Sequence, residues 1–119
     1  MRHLHGHKKL NRATDQRLAL LKGLAKSLIE HGEITTSEAK AKSLVRFMQK
    51  LVKWARKGDV ASLRQIRKQI DDRDAINKLT NEILPKLSEE SGGEVSMFSA
   101  GKRRGDGAEL AVVTFNFVE

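Results

Sequence analysis

The sequence predicts an α+β fold in which helices pack on one face of a small sheet. Three observations carry that expectation. Apolar residues recur at three- and four-residue spacing over most of the span between Thr14 and Pro85, the mark of helices with one buried stripe. Two runs rich in β-branched and aromatic residues, Val95–Ser99 and Leu110–Val118, follow. A Gly-rich turn separates them, so the pair reads as a hairpin. The predicted order is helix, short strand, three helices, then a two-stranded hairpin. Residues 14–119 form a single globular domain in this reading, behind an extended basic arm over residues 1–13. A chain of 119 residues with 39% hydrophobic residues can bury a modest core.

Each element has a local cause. Met1 to Ala13 shows no apolar periodicity, with Leu4 and Leu10 its only large aliphatics after Met1. Thr14 can cap the first helix, Asp15 suits its first turn, and Leu18, Leu21, Ala25, Leu28 and Ile29 form its stripe. His31-Gly32 stops it, because glycine accepts the left-handed conformation at a helix end. Glu33–Thr36 is short and β-branched, a brief strand. Thr35-x-x-Glu38 fits a capping box for the second helix, with Ser37 a competing cap. That helix turns Ala41, Leu44, Met48, Leu51, Val52 and Ala55 inward and ends at Lys57-Gly58. Asp59 caps a third helix with Leu63, Ile66 and Ile70 inward. Asp71 or Asp72 starts a fourth, with Ile76, Leu79 and Ile83 inward, and Pro85 closes it. Phe115 and Phe117 share one face of the last strand and read as core, whereas Phe98 could be core or lie on the opposite face. Trp54 falls near the edge of its helix's apolar stripe.

The charge is divided unevenly. Met1–Lys57 holds 14 Lys/Arg against 4 Asp/Glu, or +10, and Gly58–Glu119 holds 9 against 11, or −2, for the net +8. Cations gathered on one segment suit a dense anionic partner, of which nucleic-acid phosphate is the commonest. Arg2, Lys8, Lys9 and Arg12 open the chain, and Arg17, Lys22 and Lys26 extend the charge into the first helix. Lys40, Lys42 and Arg46 lie on the wetter surface of the second, with Lys50 and Lys53. Lys102, Arg103 and Arg104 form a second patch at the hairpin tip. His3, His5 and His7 alternate along the arm, a spacing that could present a metal. The neighbouring Arg2, Lys8 and Lys9 would repel a divalent cation, so phosphate or base contact is the better reading and no metal site is expected.

Other classes find less support. The chain has no cysteine, which excludes disulfides and thiolate chemistry. No apolar run approaches the ~20 residues of a membrane span. No apolar stretch follows the basic start, so the expectation is a cytoplasmic protein without a secretory signal. There is no phosphate-binding glycine loop and no nucleophile–base pattern, so no catalysis, cofactor or small-molecule substrate is expected. Asp71, Asp72 and Asp74 fit helix capping better than a metal-dependent nuclease. Aromatic residues are 4% and Tyr is absent, so no base-stacking platform is evident and recognition should be of phosphate geometry and shape.

The chain resembles the bacterial large-subunit ribosomal protein L-seventeen family along essentially its whole length. The likeness runs from Met1-Arg2-His3 and Lys9-Leu10-Asn11-Arg12 through Ser27-Leu28-Ile29 and His31-Gly32. It is most specific over Ile34–Lys42, then Lys50-Leu51-Val52, Ala55–Asp59 and Arg103–Ala108. The resemblance implies an α+β protein with a structural role, binding large-subunit ribosomal RNA near the exit of the peptide tunnel, with the ribosomal protein L-thirty-two as a neighbour. The chain departs from the family pattern in three places. Val45-Arg46 stands where an Arg-Pro pair is common. Glu94, Val95, Ser96 and Ser99 replace an aromatic, Thr, Arg and a later Lys. Glu109 replaces a Pro. The alternative class is a non-ribosomal basic nucleic-acid-binding module, separable by preference for folded ribosomal RNA over duplex DNA at matched salt.

Overall fold

A computed structural model describes residues 14–87 and 93–118. The proposed arm over residues 1–13 lies outside the described residues. The order is α1 (Thr14–His31), β1 (Glu33–Ser37), α2 (Glu38–Lys57), α3 (Val60–Gln69), α4 (Arg73–Lys78), β2 (Val95–Lys102) and β3 (Glu109–Phe115). The α+β class and the element order agree with the sequence reading.

The second helix is the hub. Its six inward residues, Ala41, Leu44, Met48, Leu51, Val52 and Ala55, are all buried, and it packs against α1, α3 and all three strands. From α1 come Leu21, Ala25, Leu28 and Ile29. Leu18, expected on that stripe, is 39% exposed instead: it sits near the start of the helix, beyond the reach of the central core. Ile66 closes the core from α3 and Ile70 from just past its end, and Leu79 and Ile83 from the segment after α4.

Helix ends follow from side-chain chemistry. Ser37, not Thr35, caps α2, its hydroxyl accepting from the Lys40 amide at 3.5 Å. Thr35 belongs to β1, so the expected capping box does not form. Asp59 caps α3 through a 2.7 Å bond from the Ser62 amide, and that bond holds the Asp59 carboxyl below the usual carboxylate range. Asp72 caps α4, accepting from Ala75 at 3.2 Å. Gly58 ends α2 at φ +68°, a left-handed conformation that glycine adopts without steric cost. The fourth helix is shorter than its apolar spacing suggests. After Lys78 the chain widens into a π turn over Leu79–Ile83, then tightens into a 3₁₀ turn over Leu84–Lys86. Pro85 is the cause: it has no amide hydrogen to continue the ladder, and its ring crowds the carbonyl one turn back.

The three strands form one antiparallel sheet in the order β1-β3-β2. The expected hairpin is present, with Val95 opposite Phe115 and Ser99 opposite Ala111. The short strand β1 joins its far side, Ile34 opposite Val113, so the last strand becomes the centre of a three-stranded sheet. Burial alternates along β3, with Ala111, Val113 and Phe115 facing the helices. Beyond Phe115 the strand ends earlier than Val118. The Asn116 side-chain amide donates to the Gly93 carbonyl at 2.7 Å and lies 2.6 Å from the Ser96 hydroxyl. Phe117 makes an isolated bridge to Leu87, its ring lies 6.0 Å from that of Phe115, and it is 49% exposed. Phe115 is therefore core, and Phe117 is not. Phe98 lies on the face away from the helices and is exposed.

Candidate nucleic-acid interface

Because α2 commits one side to the core, its cations are forced onto the other. At about 3.6 residues per turn, Lys42, Arg46 and Lys50 follow one another along a single stripe opposite Ala41, Met48 and Ala55. The start of α1 lies beside that stripe. Arg17, Lys42, Arg46 and Lys50 then rim one groove between α1 and α2. The sequence singles out three of these as candidates and places Lys50 only on the helix's wetter surface. The signal that finds it is the four-residue continuation from Lys42 through Arg46.

The other candidates are distributed differently. Lys22 and Lys26 occupy another side of α1, and Lys26 makes a long 3.9 Å ion pair with Asp72, the α4 cap. Lys40 stands in the first turn of α2, away from the stripe, its amide committed to Ser37. Lys102, Arg103 and Arg104 are exposed at the β2–β3 turn. That turn is internally braced. Arg103 donates its amide to Ala108 at 2.7 Å, and its guanidinium meets the Asp106 carboxylate at 3.3 Å. The Ala108 amide and the Arg103 charge hold the Asp106 carboxyl below its usual range. Gly101, at φ +87°, lies where the register shifts between Ser99 and Lys102, a bulge that re-aims the end of the hairpin. Arg2, His3, His5, His7, Lys8, Lys9 and Arg12 lie outside the described residues.

Acidic neighbours modulate the patch. Lys42 pairs with Glu38 at 3.3 Å, one turn earlier on α2. Glu38 is also brought to Glu109, because Ser37 and Leu110 are opposite one another in the sheet. The protonated Glu109 carboxyl donates a hydrogen bond to the Glu38 carboxylate, and that bond with the like charge of Glu38 raises the Glu109 carboxyl above its ordinary value, against the opposing pull of Lys42. Glu94 has an internal role. It is buried and accepts from the Arg56 guanidinium at 3.0 Å. Its neighbour Ser96 engages Asn116. The acid at residue 94 thus fastens the entry of β2 to the end of α2. Among the described residues no group of three His, Cys, Asp or Glu side chains could hold a metal, and Asp72 of the acidic cluster is used as a helix cap.

A cation-faced helix packed over a small antiparallel sheet defines a basic α+β protein. The model of the family described as "Ribosomal protein L17" matches residues 20–116. A protein named large ribosomal subunit protein bL17 from Coprothermobacter proteolyticus is 41% identical over 98% of this chain and 99% of its own length. Those of the same name from Campylobacter lari and Gemmatimonas aurantiaca are 42% and 45% identical, over 97% and 93% of this chain and 98% and 94% of theirs. The chain belongs to the ribosomal protein L17 family. It is accordingly a structural protein of the ribosome and not an enzyme, and its place is in the cytoplasm with the ribosome.

Proposed function

We propose that this chain binds large-subunit ribosomal RNA near the exit of the peptide tunnel, through phosphate contacts from three cation groups. The first is the arm over residues 1–13, which orders on RNA. The second is the Arg17–Lys42–Arg46 cluster with Lys22, Lys26 and Lys40 around it. The third is the Lys102–Arg104 turn. Residues 14–119 act as a single rigid platform for all three, and the L-thirty-two protein is a neighbour. The observation that carries the reading is the alignment of Lys42 and Arg46 on the side of α2 turned from its core, beside Arg17.

Counterion release makes the reading measurable. Removing one phosphate-bound cation flattens the log–log salt dependence of binding by roughly one unit. Replacing Arg2, Lys8, Lys9 and Arg12 together by Ala lowers both RNA affinity and salt slope, with thermal stability nearly unchanged. Unaltered affinity in that variant overturns the arm's role. Failure of the wild-type chain to co-sediment with large subunits after a high-salt wash overturns the proposal as a whole.

A further inference from the structure

The groove that the cations rim has an apolar floor. Phe47, Leu51 and Trp54 from α2 meet Leu18 and Leu21 from α1, enclosing about 270 Å³. Leu18 is exposed at its mouth, and Phe47 and Trp54 are half-buried. No carboxylate is among the residues that line it. Apolar surface left open under a ring of cations is costly to keep wet, and its chemistry specifies an occupant: flat and apolar in the middle, anionic at its ends.

We propose that this groove holds one unstacked nucleobase of the bound RNA, laid against Trp54 and Phe47, with its flanking phosphates on Arg17, Arg46 and Lys50. The inference rests on the RNA-binding reading above and adds a base contact to it. The volume falls below the roughly 300–1,000 Å³ of sites that enclose drug-sized ligands, so it suits a single ring system. Arg46 and Lys50 are four residues apart, about 6 Å along the helix axis, a spacing similar to that of successive phosphates on an extended strand. Stacking needs no particular base, since every base presents a π-face. Charge argues against a segment of this chain as the occupant, because residues 1–13 bring four further Lys/Arg to a rim that is already cationic.

Trp54 is the chain's only tryptophan and there is no tyrosine, so its fluorescence reports the groove directly. The full chain is titrated with tetra-adenylate, with an abasic tetramer of equal charge, and with an acidic amphipathic helical peptide. Large-subunit ribosomal RNA is the fourth ligand. The expected result is quenching by tetra-adenylate, none by the abasic tetramer, and about tenfold weaker binding of the abasic tetramer, in line with one stacked base. Leu18→Glu, at the exposed mouth, abolishes the quenching while the protein stays folded by circular dichroism. Phe47→Leu weakens tetra-adenylate binding several-fold without changing its salt slope. Equal binding of the abasic tetramer, or quenching by the peptide alone, overturns the base contact. Should ribosomal RNA still bind in that case, only this inference falls; loss of ribosomal RNA binding by the wild-type chain removes the RNA reading beneath it.

Discussion

Replacing Arg56 by Met tests whether Glu94 has become part of the fold. The Glu94 side chain is 9% exposed and its partner Arg56 29%, with 3.0 Å between the bonded atoms. Breaking a fully buried pair by removing one partner costs about 3–5 kcal/mol, whereas an exposed pair is worth about 0–1 kcal/mol. Here the carboxylate is enclosed while the guanidinium keeps some water, so Arg56→Met should cost about 2 kcal/mol, the intermediate case. At this chain length that lowers the melting temperature by roughly 8 °C. The double variant Arg56→Met with Glu94→Leu removes both charges and should return to within about 1 kcal/mol of the parent, since no carboxylate is left stranded. Urea unfolding of all four proteins at constant m-value gives the coupling. A loss below about 0.5 kcal/mol for Arg56→Met, or simple addition of the two single effects, refutes the argument that the pair is a structural tie.

Two further outcomes follow from local geometry. Gly58→Ala should cost about 1–2 kcal/mol in urea unfolding; the new Cβ would sit at ordinary distance from the carbonyls of Ala55 and Arg56, so the cost is conformational rather than steric. Glu109→Gln should change the pH profile of stability. A carboxyl raised in the folded state binds protons there that the unfolded chain has already released, so stability falls as pH rises through that window. The Gln variant should lose this fall and exceed the parent at neutral pH, with urea midpoints between pH 4 and 7 as the check.

Helix interiors were mostly legible in the sequence because burial on a helix follows spacing, with Leu18 the exception where the helix runs past the core. The inward set of α2, Ala41 through Ala55, is buried residue for residue. Ends were less so. Thr35 and Ser37 have equivalent capping chemistry, and what decides between them is that Thr35 is taken up in pairing with Val112, a partner more than seventy residues away. For the same reason β1 reads as a brief strand in sequence, yet its place beside β3 does not. The break after Lys78 was legible only as a stop at Pro85; the π turn that absorbs the misfit depends on keeping Leu79 and Ile83 buried together. At the candidate interface the sequence supplied the cations but not their grouping. Arg17 and Lys42 meet through the packing of α1 on α2, and no pattern within either helix contains that contact. The aromatic floor is hidden for a related reason: Trp54 reads as a stripe edge in α2, and it joins Phe47 in one groove only where Leu18 and Leu21 complete it.

The departures from the family pattern can be separated by the same physics. An acid placed among phosphate-facing cations would subtract from binding, and Glu94 does not do so because Arg56 and burial neutralise it internally. Glu109 is different. It shares a proton-linked contact with Glu38, whose other partner is Lys42, so its charge reaches the rim of the groove through one intermediary. Beside Val45, Arg46 falls within the line from Lys42 to Lys50, so its charge lies on the groove. Because the core and the cations occupy opposite sides of α2, substitutions on the two sides affect different observables. Changes at Leu44 or Met48 should act on unfolding free energy through poorer packing, while changes at Arg46 or Lys50 should act on the salt dependence of the proposed RNA binding.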